Sequence, residues 1–393
     1  MSPRWVLATA TAAQVAVSLV TFGLPVIGPE LAAEFGLSLP ALGLVLSANV
    51  LGQGVMLIAA GRAVERYGGR STTLLGTAVA TVGILSAAFA PSLGVLVALL
   101  FVSGLGSATV PIAGMGSVLR VFARGGRAQA LGVRQLGVPL AGMVGAFLMP
   151  ALESTGGVRA ALLFSGGVVA LLGTTFGLTG ASWSPGGVAG GFRSGALRRI
   201  LRAPSMLRLL LVAFIYIIVL QAALTYLVPS VRDQGLSTVW ASAVFFAMQA
   251  TAGGSRIVWG RIADRGQGTR RIRALVEVGW ASAVGASIFA GLLGTGAMGI
   301  LIGAVVFALG AMGWNALIYV SAAERGPGDA PAQSVAVAAT VVFAIAAISS
   351  PAMGALAETI GWMSFWLVCS GIMLIGALVA SSIPDRQPPA EPT

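Results

Sequence analysis

The stretch GRAVERYGGR, from Gly61 to Arg70, is a charged segment in a chain where only 9% of the 393 residues carry charge. A second stretch, GRIADRGQGTRR, begins at Gly260 and repeats nearly the same order of glycine, apolar, acidic and basic residues. Charged segments of this kind are rarely duplicated by chance in a chain dominated by apolar residues. The repetition indicates that one structural unit occurs twice.

The sequence around the two segments is strongly apolar. Hydrophobic residues make up 57% of the chain and the mean hydropathy is +0.94, well above the composition of soluble domains. A helix needs about 20 mostly apolar residues to cross the hydrocarbon layer. Twelve runs meet that need and predict an all-α membrane protein with twelve transmembrane helices: 5–28, 41–60, 72–90, 93–119, 129–152, 158–180, 205–229, 238–259, 273–294, 298–322, 332–356 and 361–383.

Internal similarity predicts that the twelve spans form two bundles. AQALGVRQLGVPLAGMVGAFLMPAL, from Ala128, aligns with AQSVAVAATVVFAIAAISSPAMGAL, from Ala332, and LLFVSG at Leu99 aligns with VVFALG at Val305. The near-constant separation indicates a parallel duplication, with two pseudo-symmetric halves related by an axis along the membrane normal. We therefore predict three parts: a six-helix bundle over 1–180, a Gly-rich, basic cytoplasmic linker over 181–204, and a second six-helix bundle over 205–393.

The arginines predict the orientation in the membrane. All 23 basic residues are arginine; Arg134 and Arg256 lie inside predicted helices and Arg159 and Arg232 on the predicted outer side, which leaves 19 on the inner side. Such a bias places both termini in the cytoplasm and predicts a multi-pass protein of the cell's inner (plasma) membrane. The net charge of +11 is accounted for by inner loops that contact anionic lipid, so no nucleic-acid partner is needed.

The composition excludes several classes of chemistry. The chain has no histidine and a single cysteine, Cys369, so it lacks imidazole-based nucleophile systems, histidine-ligated metal sites and intrachain disulfides. No P-loop or EF-hand pattern is present. We therefore expect a protein that is not an enzyme, holds no metal or cofactor, and works as a monomer.

Twelve spans in two halves, with a charged loop after the second span of each half, resemble the major facilitator superfamily. The family's loop pattern is Gly-x-Leu-Ala-Asp-Arg-x-Gly-Arg-Lys/Arg. The first copy departs from it by Glu65 in place of Asp and by Gly69 where an Arg is usual, and the second copy ends in a degenerate tail. The matching residues are Gly61, Arg66, Gly68 and Arg70 in the first copy, and Gly260, Ile262, Ala263, Asp264 and Arg265 in the second.

The resemblance implies transport by alternating access and a conformational latch. We expect Gly61 to allow close approach to the eleventh span, and Glu65 to lie at that span's positive N-terminal end, near Pro331. The latch would tie the two halves together when the cavity opens outward; the alternative is a solvated loop that anchors the protein at the membrane surface. The assigned latch residues are Gly61, Glu65, Arg66, Arg70, Gly260, Asp264 and Arg265.

The resemblance also implies that spans one, four, seven and ten line a central cavity. Polar side chains in these spans should face protein or water because facing lipid is costly. Thr11, Ser103 and Ser107 are assigned to helix–helix hydrogen bonds, and Asn49, Gln53 and Gln249 are secondary candidates on other spans. The predicted substrate-binding residues in the lining spans are Gln14, Gln221, Tyr226, Trp314, Asn315 and Tyr319, with packing as the alternative for Trp314.

Two further arginines within spans have different predicted roles. Arg134 lies in the fifth span without a visible acid at its depth, so we predict that it anchors an anionic group, with Gln135 assisting. The alternative is that its long side chain reaches the cytoplasmic interface. Arg256 and Glu277 lie about one turn inside neighbouring spans, and we predict a structural ion pair between them.

These features predict a secondary active transporter of a small organic solute, anionic because of Arg134. A proton-coupled drug or metabolite efflux antiporter is the alternative, with a proton as the coupling ion. RQLGVPLAGMVG, from Arg134, resembles the glycine-proline signature of the family's antiporters, although Val138 separates Gly137 from Pro139.

Overall fold

The computed structural model describes residues 2–122, 126–181, 195–265, 270–327 and 330–384, with only the backbone of residues 127, 128, 196 and 332. Within these ranges the chain is helical and contains no strand. The helices of the first half are α1 (Pro3–Gly23), the 3-10 turn Leu24–Ile27, α2 (Gly28–Phe35), α3 (Leu39–Tyr67), α4 (Gly69–Ala87), α5 (Leu93–Ser107), α6 (Thr109–Val121), α7 (Arg127–Gln135) and α8 (Gly137–Thr179). Those of the second half are α9 (Ala196–Arg202), α10 (Pro204–Asp233), α11 (Thr238–Asp264), α12 (Arg271–Leu292), α13 (Ala297–Ala311), α14 (Asn315–Arg325) and α15 (Pro331–Ser381).

Serine side chains begin several of these helices. The Ser2 hydroxyl accepts from Trp5 N at 3.3 Å, and Ser38 accepts from Ala41 N at 3.4 Å, each directly before a helix with proline in its first turn. The hydroxyl satisfies an amide that has no partner in the helix, and proline lacks such an amide. Local sequence therefore sets where α1 and α3 start.

The twelve predicted spans all coincide with helices. By length and composition, eight segments of the described chain can cross a membrane. Two of them, 129–179 and 333–381, each contain two predicted spans, because Gly157 (φ 67°) and Gly361 (φ 72°) turn the chain in a conformation that side chains rarely adopt. Helices α4 and α11 account for the other two predicted spans. The all-α membrane fold is thus confirmed.

Contacts group the described residues into two compact units. The first unit lies within Met1–Ala189, Ala222–Ala250 and Ala346–Thr359, and the second within Gly190–Gln221, Thr251–Ile345 and Ile360–Thr393. The predicted division at 1–180, 181–204 and 205–393 stays a prediction. Residues 182–194 of the predicted linker lie outside the described residues, and α9 forms a short helix in the remainder.

Glycine brings helix backbones into direct contact in the first unit. A Cβ added to Gly104 of α5 would overlap the carbonyl oxygen of Asn49 on α3, and one added to Gly52 would overlap the carbonyl oxygen of Phe101. Apolar burial gives little driving force between helices in lipid, so close packing of small residues supplies much of the association. The α3–α5 crossing is therefore a backbone contact.

The second unit instead contains a cluster of aromatic rings. The ring of Trp366 meets Phe289 and Phe365 edge to face at 5.0 Å, and Phe307 at 5.6 Å. Such edge-to-face pairs contribute stabilisation beyond burial alone. The cluster joins α12, α13 and α15.

The α3–α5 crossing predicts a strong effect of a single methyl group. We expect Gly104→Ala to lower the free energy of unfolding by about 1–3 kcal/mol, because backbone atoms cannot move aside as a side chain can. Thermal unfolding of the detergent-solubilised protein measures the change. Gly94→Ala, on the same helix with open space around it, is the control, and equal unfolding midpoints for the two variants would contradict the prediction.

Candidate functional site

Arg134 is the buried cation of the first unit. It lies in the last turn of α7, and its side chain is only 3% exposed. Its Nη2 donates to Gln14 Oε1 at 2.7 Å and to the carbonyl oxygen of Pro111 at 2.9 Å, which ties α7 to α1 and α6. A Cβ on Gly114 would lie 2.7 Å from Arg134 Nε, so the absence of a side chain at Gly114 makes room for the guanidinium.

The positive charge of Arg134 is not balanced by a carboxylate. Among the described residues no Asp or Glu forms an ion pair with it, and its buried Nε has no hydrogen-bond acceptor. A buried charge of this kind is costly unless water, carbonyl groups or a ligand meet it. Two carbonyl oxygens meet it in part, which leaves the guanidinium suited to bind an anion.

Gln14 holds the guanidinium in place. Its Nε2 donates to Ser18 Oγ at 2.9 Å one turn further along α1, so its carbonyl oxygen faces Arg134. Gln14 is buried and packs against Gly137, directly after the break between α7 and α8. Gln135, predicted to assist Arg134, is exposed and forms no hydrogen bond with it. The structure therefore brings Gln14, and not Gln135, to the arginine.

An apolar groove lies alongside α1 in the first unit. It has a volume of about 450 Å³, is largely open, and borders Val133, the residue next to Arg134 in sequence. Thr11 supplies one hydroxyl, and Arg4 lies near the start of α1. The lining residues are Arg4, Leu7, Ala8, Thr11, Ala12, Val15 and Val133. The groove is open rather than enclosed, and apart from Thr11 and Arg4 its walls are apolar.

A chain of amide and hydroxyl groups connects α1, α3 and α5. Asn49 Oδ1 accepts from Thr21 Oγ1 at 3.0 Å and from Gln53 Nε2 at 2.7 Å, while Asn49 Nδ2 donates to Ser103 Oγ at 3.1 Å. From sequence, Asn49 and Gln53 are secondary candidates on the second span. Their one-turn spacing on α3 was the available signal.

Tyr226 has a different environment from the predicted one. Its hydroxyl donates to the carbonyl oxygen of Ser350 at 2.5 Å and approaches that of Leu39 at 3.2 Å, and the ring is fully buried. A Cβ on Gly43 or Gly354 would collide with the phenol oxygen, so these glycines admit it. Tyr226 forms a contact between helices, and its role in substrate binding stays a prediction. Sequence alone could not show that carbonyl groups enclose the hydroxyl.

Trp314, Asn315, Tyr319 and Gln221 belong to the second unit. Trp314 is fully buried against Tyr216 at 5.8 Å, so packing, the alternative stated for it, describes its position. Asn315 starts α14, and its Oδ1 is enclosed without a donor among the described residues. Gln221 is buried and Tyr319 half-buried, and the roles of both in binding stay predictions.

The predicted ion pair between Arg256 and Glu277 is wrong for the described residues. Glu277 accepts from Arg273 Nε at 3.1 Å, because the two residues are one turn apart on α12. Arg256 Nε instead donates to the carbonyl oxygen of Met312 at 3.5 Å, where α13 ends before α14 begins. Trp259, one turn further along α11, donates to the carbonyl oxygen of Leu309 at 2.6 Å. Both side chains satisfy carbonyl groups freed by the helix break.

The second charged loop forms a network in the second unit. Arg271 lies 3.8 Å from Asp264 and also pairs with Glu324 at the end of α14, while Arg265 is exposed. In the first copy Glu65 is half-buried, Arg70 is exposed, and the Arg66 guanidinium lies 5.3 Å from the centre of the Tyr67 ring. A Cβ on Gly61 or on Gly260 would enter open space. The latch role of both loops stays a prediction.

Carboxylates at the predicted outer end contact other helices of the first unit. Glu358 Oε1 accepts from the amide of Leu39, the first residue of α3, at 2.6 Å, and Glu30 Oε1 accepts from Thr238 Oγ1 at 3.3 Å. A carboxylate is favoured at a helix N-terminus, where amides lack partners. In the described part of the chain, no group of three or more His, Cys, Asp or Glu residues is placed to hold a metal ion.

Comparison with known proteins adds a family and a fold. Residues 10–351 match the sequence model of the Major Facilitator Superfamily, whereas no curated protein sequence matches the chain significantly. A crystal structure of a bacterial homologue of the human lysosomal transporter Spinster, inward-facing and occupied, superposes with a TM-score of 0.82 at 17% identity, covering 98% of this chain and 99% of the other.

Two other solved structures are similar over nearly the whole chain. The inward-facing, unoccupied form of the Spinster homologue gives a TM-score of 0.80 at 15% identity, covering 99% of both chains. A partially occluded, inward-open structure of the E. coli xylose transporter XylE gives 0.75 at 11% identity, covering 98% of this chain and 100% of the other. At these identities the comparison establishes the fold.

The Tyr226 contact yields a testable expectation. We expect Tyr226→Phe to destabilise the protein by about 1–3 kcal/mol, because the carbonyl oxygen of Ser350 loses its buried donor. Thermal unfolding in detergent measures the effect, and Tyr67→Phe, at a tyrosine that is 60% exposed, is the matched control. An unfolding midpoint unchanged by Tyr226→Phe would show that the hydroxyl is dispensable.

Proposed function

Because the chain belongs to the Major Facilitator Superfamily, we propose that it carries a small organic anion across the cell's inner membrane by alternating access. Family and fold make it a transporter of a solute. The anionic character of that solute, the membrane, the cytoplasmic termini and the monomeric state are parts of the proposal.

The observation that carries the proposal is the Arg134 guanidinium. It is buried in the first unit, held from one side by Gln14 and Pro111, and has no carboxylate partner among the described residues. A guanidinium stays charged at any physiological pH, so an incoming carboxylate or phosphate can balance it. Arg134 is therefore assigned to the negative group of the substrate.

The groove beside α1 supports an organic substrate rather than an inorganic ion. Its walls are apolar except at Thr11 and Arg4, and Val133 connects it with the Arg134 turn. An inorganic anion gains nothing from apolar walls, whereas the hydrocarbon part of an organic acid does. The anion is assigned to Arg134, and the groove offers apolar surface next to the Arg134 turn.

Two carboxylates near the predicted outer surface accept hydrogen bonds from other helices. Glu30 accepts from Thr238, and Glu358 accepts from Leu39. These contacts favour an anion transporter over the proton-coupled efflux antiporter, which would place a titratable carboxylate in the transport path. Transport measured with and without a pH gradient separates the two.

Replacement of Arg134 tests the anionic substrate. We expect Arg134→Lys to reduce uptake of straight-chain carboxylates into proteoliposomes at least tenfold, because an ammonium cannot reach Gln14, Pro111 and the ligand together. The corresponding neutral amides should not be transported by either protein. Arg159→Lys, at an exposed arginine, is the control. Equal uptake by wild type and Arg134→Lys would refute the anion-anchor role.

Replacement of Glu65 tests the latch. We expect Glu65→Gln to shift the population toward the inward-open state and to lower transport, with little change in ligand affinity within one state, because the amide lacks the charge that favours a helix N-terminus. Labelling of cysteines introduced in the outer vestibule reports the shift, against a silent background since Cys369 is buried. Glu34→Gln, at an exposed carboxylate, is the control. The same labelling pattern in Glu65→Gln and wild type would rule the latch out.

A further inference from the structure

We propose that Gln53 Oε1 is a second anchoring point for the substrate, which accepts a hydrogen bond from a donor group about 10 Å from the anion. The inference rests on the proposed anion transport and narrows its substrate class. The substrates that it assigns to the protein are organic acids with a hydroxyl or amino group at the end remote from the acid group. Nothing in the family match points to this position.

The direction of the amide chain carries the argument. Asn49 Nδ2 lies 3.5 Å from the carbonyl oxygen of Leu100, which only accepts, so this atom of Asn49 must be the donor. Asn49 Oδ1 is thereby turned toward α1, where it accepts from Thr21 Oγ1 and from Gln53 Nε2. The backbone carbonyl group of Leu100 therefore sets the orientation of the side-chain amides of Asn49 and Gln53.

The same reasoning leaves one acceptor of Gln53 unused. Its Nε2 donates to Asn49 Oδ1 at 2.7 Å and to Thr21 Oγ1 at 3.3 Å, which occupies both hydrogens. Gln53 Oε1 has no donor among the described residues, and Gln53 is half-buried. A ligand group next to this atom must donate a hydrogen bond, since an acceptor would be repelled.

The unused acceptor faces away from lipid. The exposed apolar residues of α3 form one stripe at helical spacing, namely Leu44, Leu51, Val55 and Ile58. Gln53 and Asn49 lie on the opposite side of the helix, where they contact α1 and α5. The part of Gln53 that no other side chain covers therefore lies on the side of α3 that faces α1 and α5, away from the apolar stripe.

The spacing of the two anchors follows from α1. Gln14 accepts from Arg134, and Thr21 accepts from Gln53. These α1 residues are seven apart, two turns along one helix face, which corresponds to about 10 Å at 1.5 Å per residue. An unbranched acid of about eight carbons with a terminal hydroxyl group spans this distance. Arg134 supplies the donor at one end, and Gln53 the acceptor at the other.

Three ligands of nearly equal shape test the inference on the wild-type protein. The probes are 8-hydroxyoctanoate, which can donate at its far end, 8-methoxyoctanoate, which can only accept, and nonanoate, which can do neither. We expect 8-hydroxyoctanoate to bind about threefold to tenfold more tightly than both others, as measured by calorimetry in detergent. Equal affinities of the wild-type protein for the three acids would overturn the inference, and this measurement requires no variant.

Gln53→Met provides the matched variant, because methionine has a similar length and cannot accept a strong hydrogen bond. We expect it to abolish the preference for the hydroxyl group, measured within the variant as the ratio of the affinities for 8-hydroxyoctanoate and nonanoate, because methionine also removes the Nε2 donor to Asn49 and Thr21. Thermal unfolding in detergent checks that the variant is folded. A preference that persists in Gln53→Met would assign the acceptor to another residue and overturn the inference.

Arg134→Lys separates this inference from the proposed function. Weaker binding of all three acids to Arg134→Lys, without a hydroxyl preference in the wild type, would overturn the Gln53 assignment alone. Equal binding of the acids by Arg134→Lys and wild type would overturn the anion transport on which the inference rests. If none of the three acids bound the wild-type protein, both the Gln53 assignment and the proposed anion transport would be overturned.

Discussion

The free-energy cost of an unpaired charge in hydrocarbon, about 3 kcal/mol at the centre of a spanning helix, constrains where this chain can place its arginines. Most of them lie in the predicted inner loops, where lipid headgroups and water surround them. Arg134 and Arg256 are the two within predicted spans, and the structure meets both with carbonyl oxygens from helix breaks or adjoining residues. The two arginines differ in their surroundings, because Arg256 contacts a carbonyl oxygen at the end of α13, whereas Arg134 follows Val133, which lines the groove beside α1.

The sequence predicted the helical spans well, because the length of an apolar run is a direct consequence of membrane thickness. It did not predict the interruptions at Ala108, Leu136 and Gly313, since apolar and small residues continue across each of them. These interruptions free carbonyl groups, and the partners of those groups come from other helices. Trp259 and Arg256 are such partners, which is why Arg256 is not available to Glu277.

The candidate site was predictable in part. An unpaired charge within a span is visible in sequence, so Arg134 stands out as a candidate, whereas its hydrogen bond with Gln14 is seen only in the structure. Helix position alone cannot tell whether a polar group meets a carbonyl, an amide or an open space, so the carbonyl partners of Tyr226 and the exposure of Gln135 are seen only in the structure. The direction of the Asn49–Gln53 chain depends on Leu100, a residue without any polar side chain, so no sequence pattern contains it.

Leu39 has both of its backbone polar groups engaged by helices from the other end of the chain. Its amide donates to Glu358, and its carbonyl oxygen lies within reach of the Tyr226 hydroxyl. Both partners belong to the same compact unit as Leu39, Glu358 on α15 and Tyr226 on α10. The first residue of α3 is thereby fastened on two sides, so a displacement of this helix end relative to α10 and α15 would break both contacts.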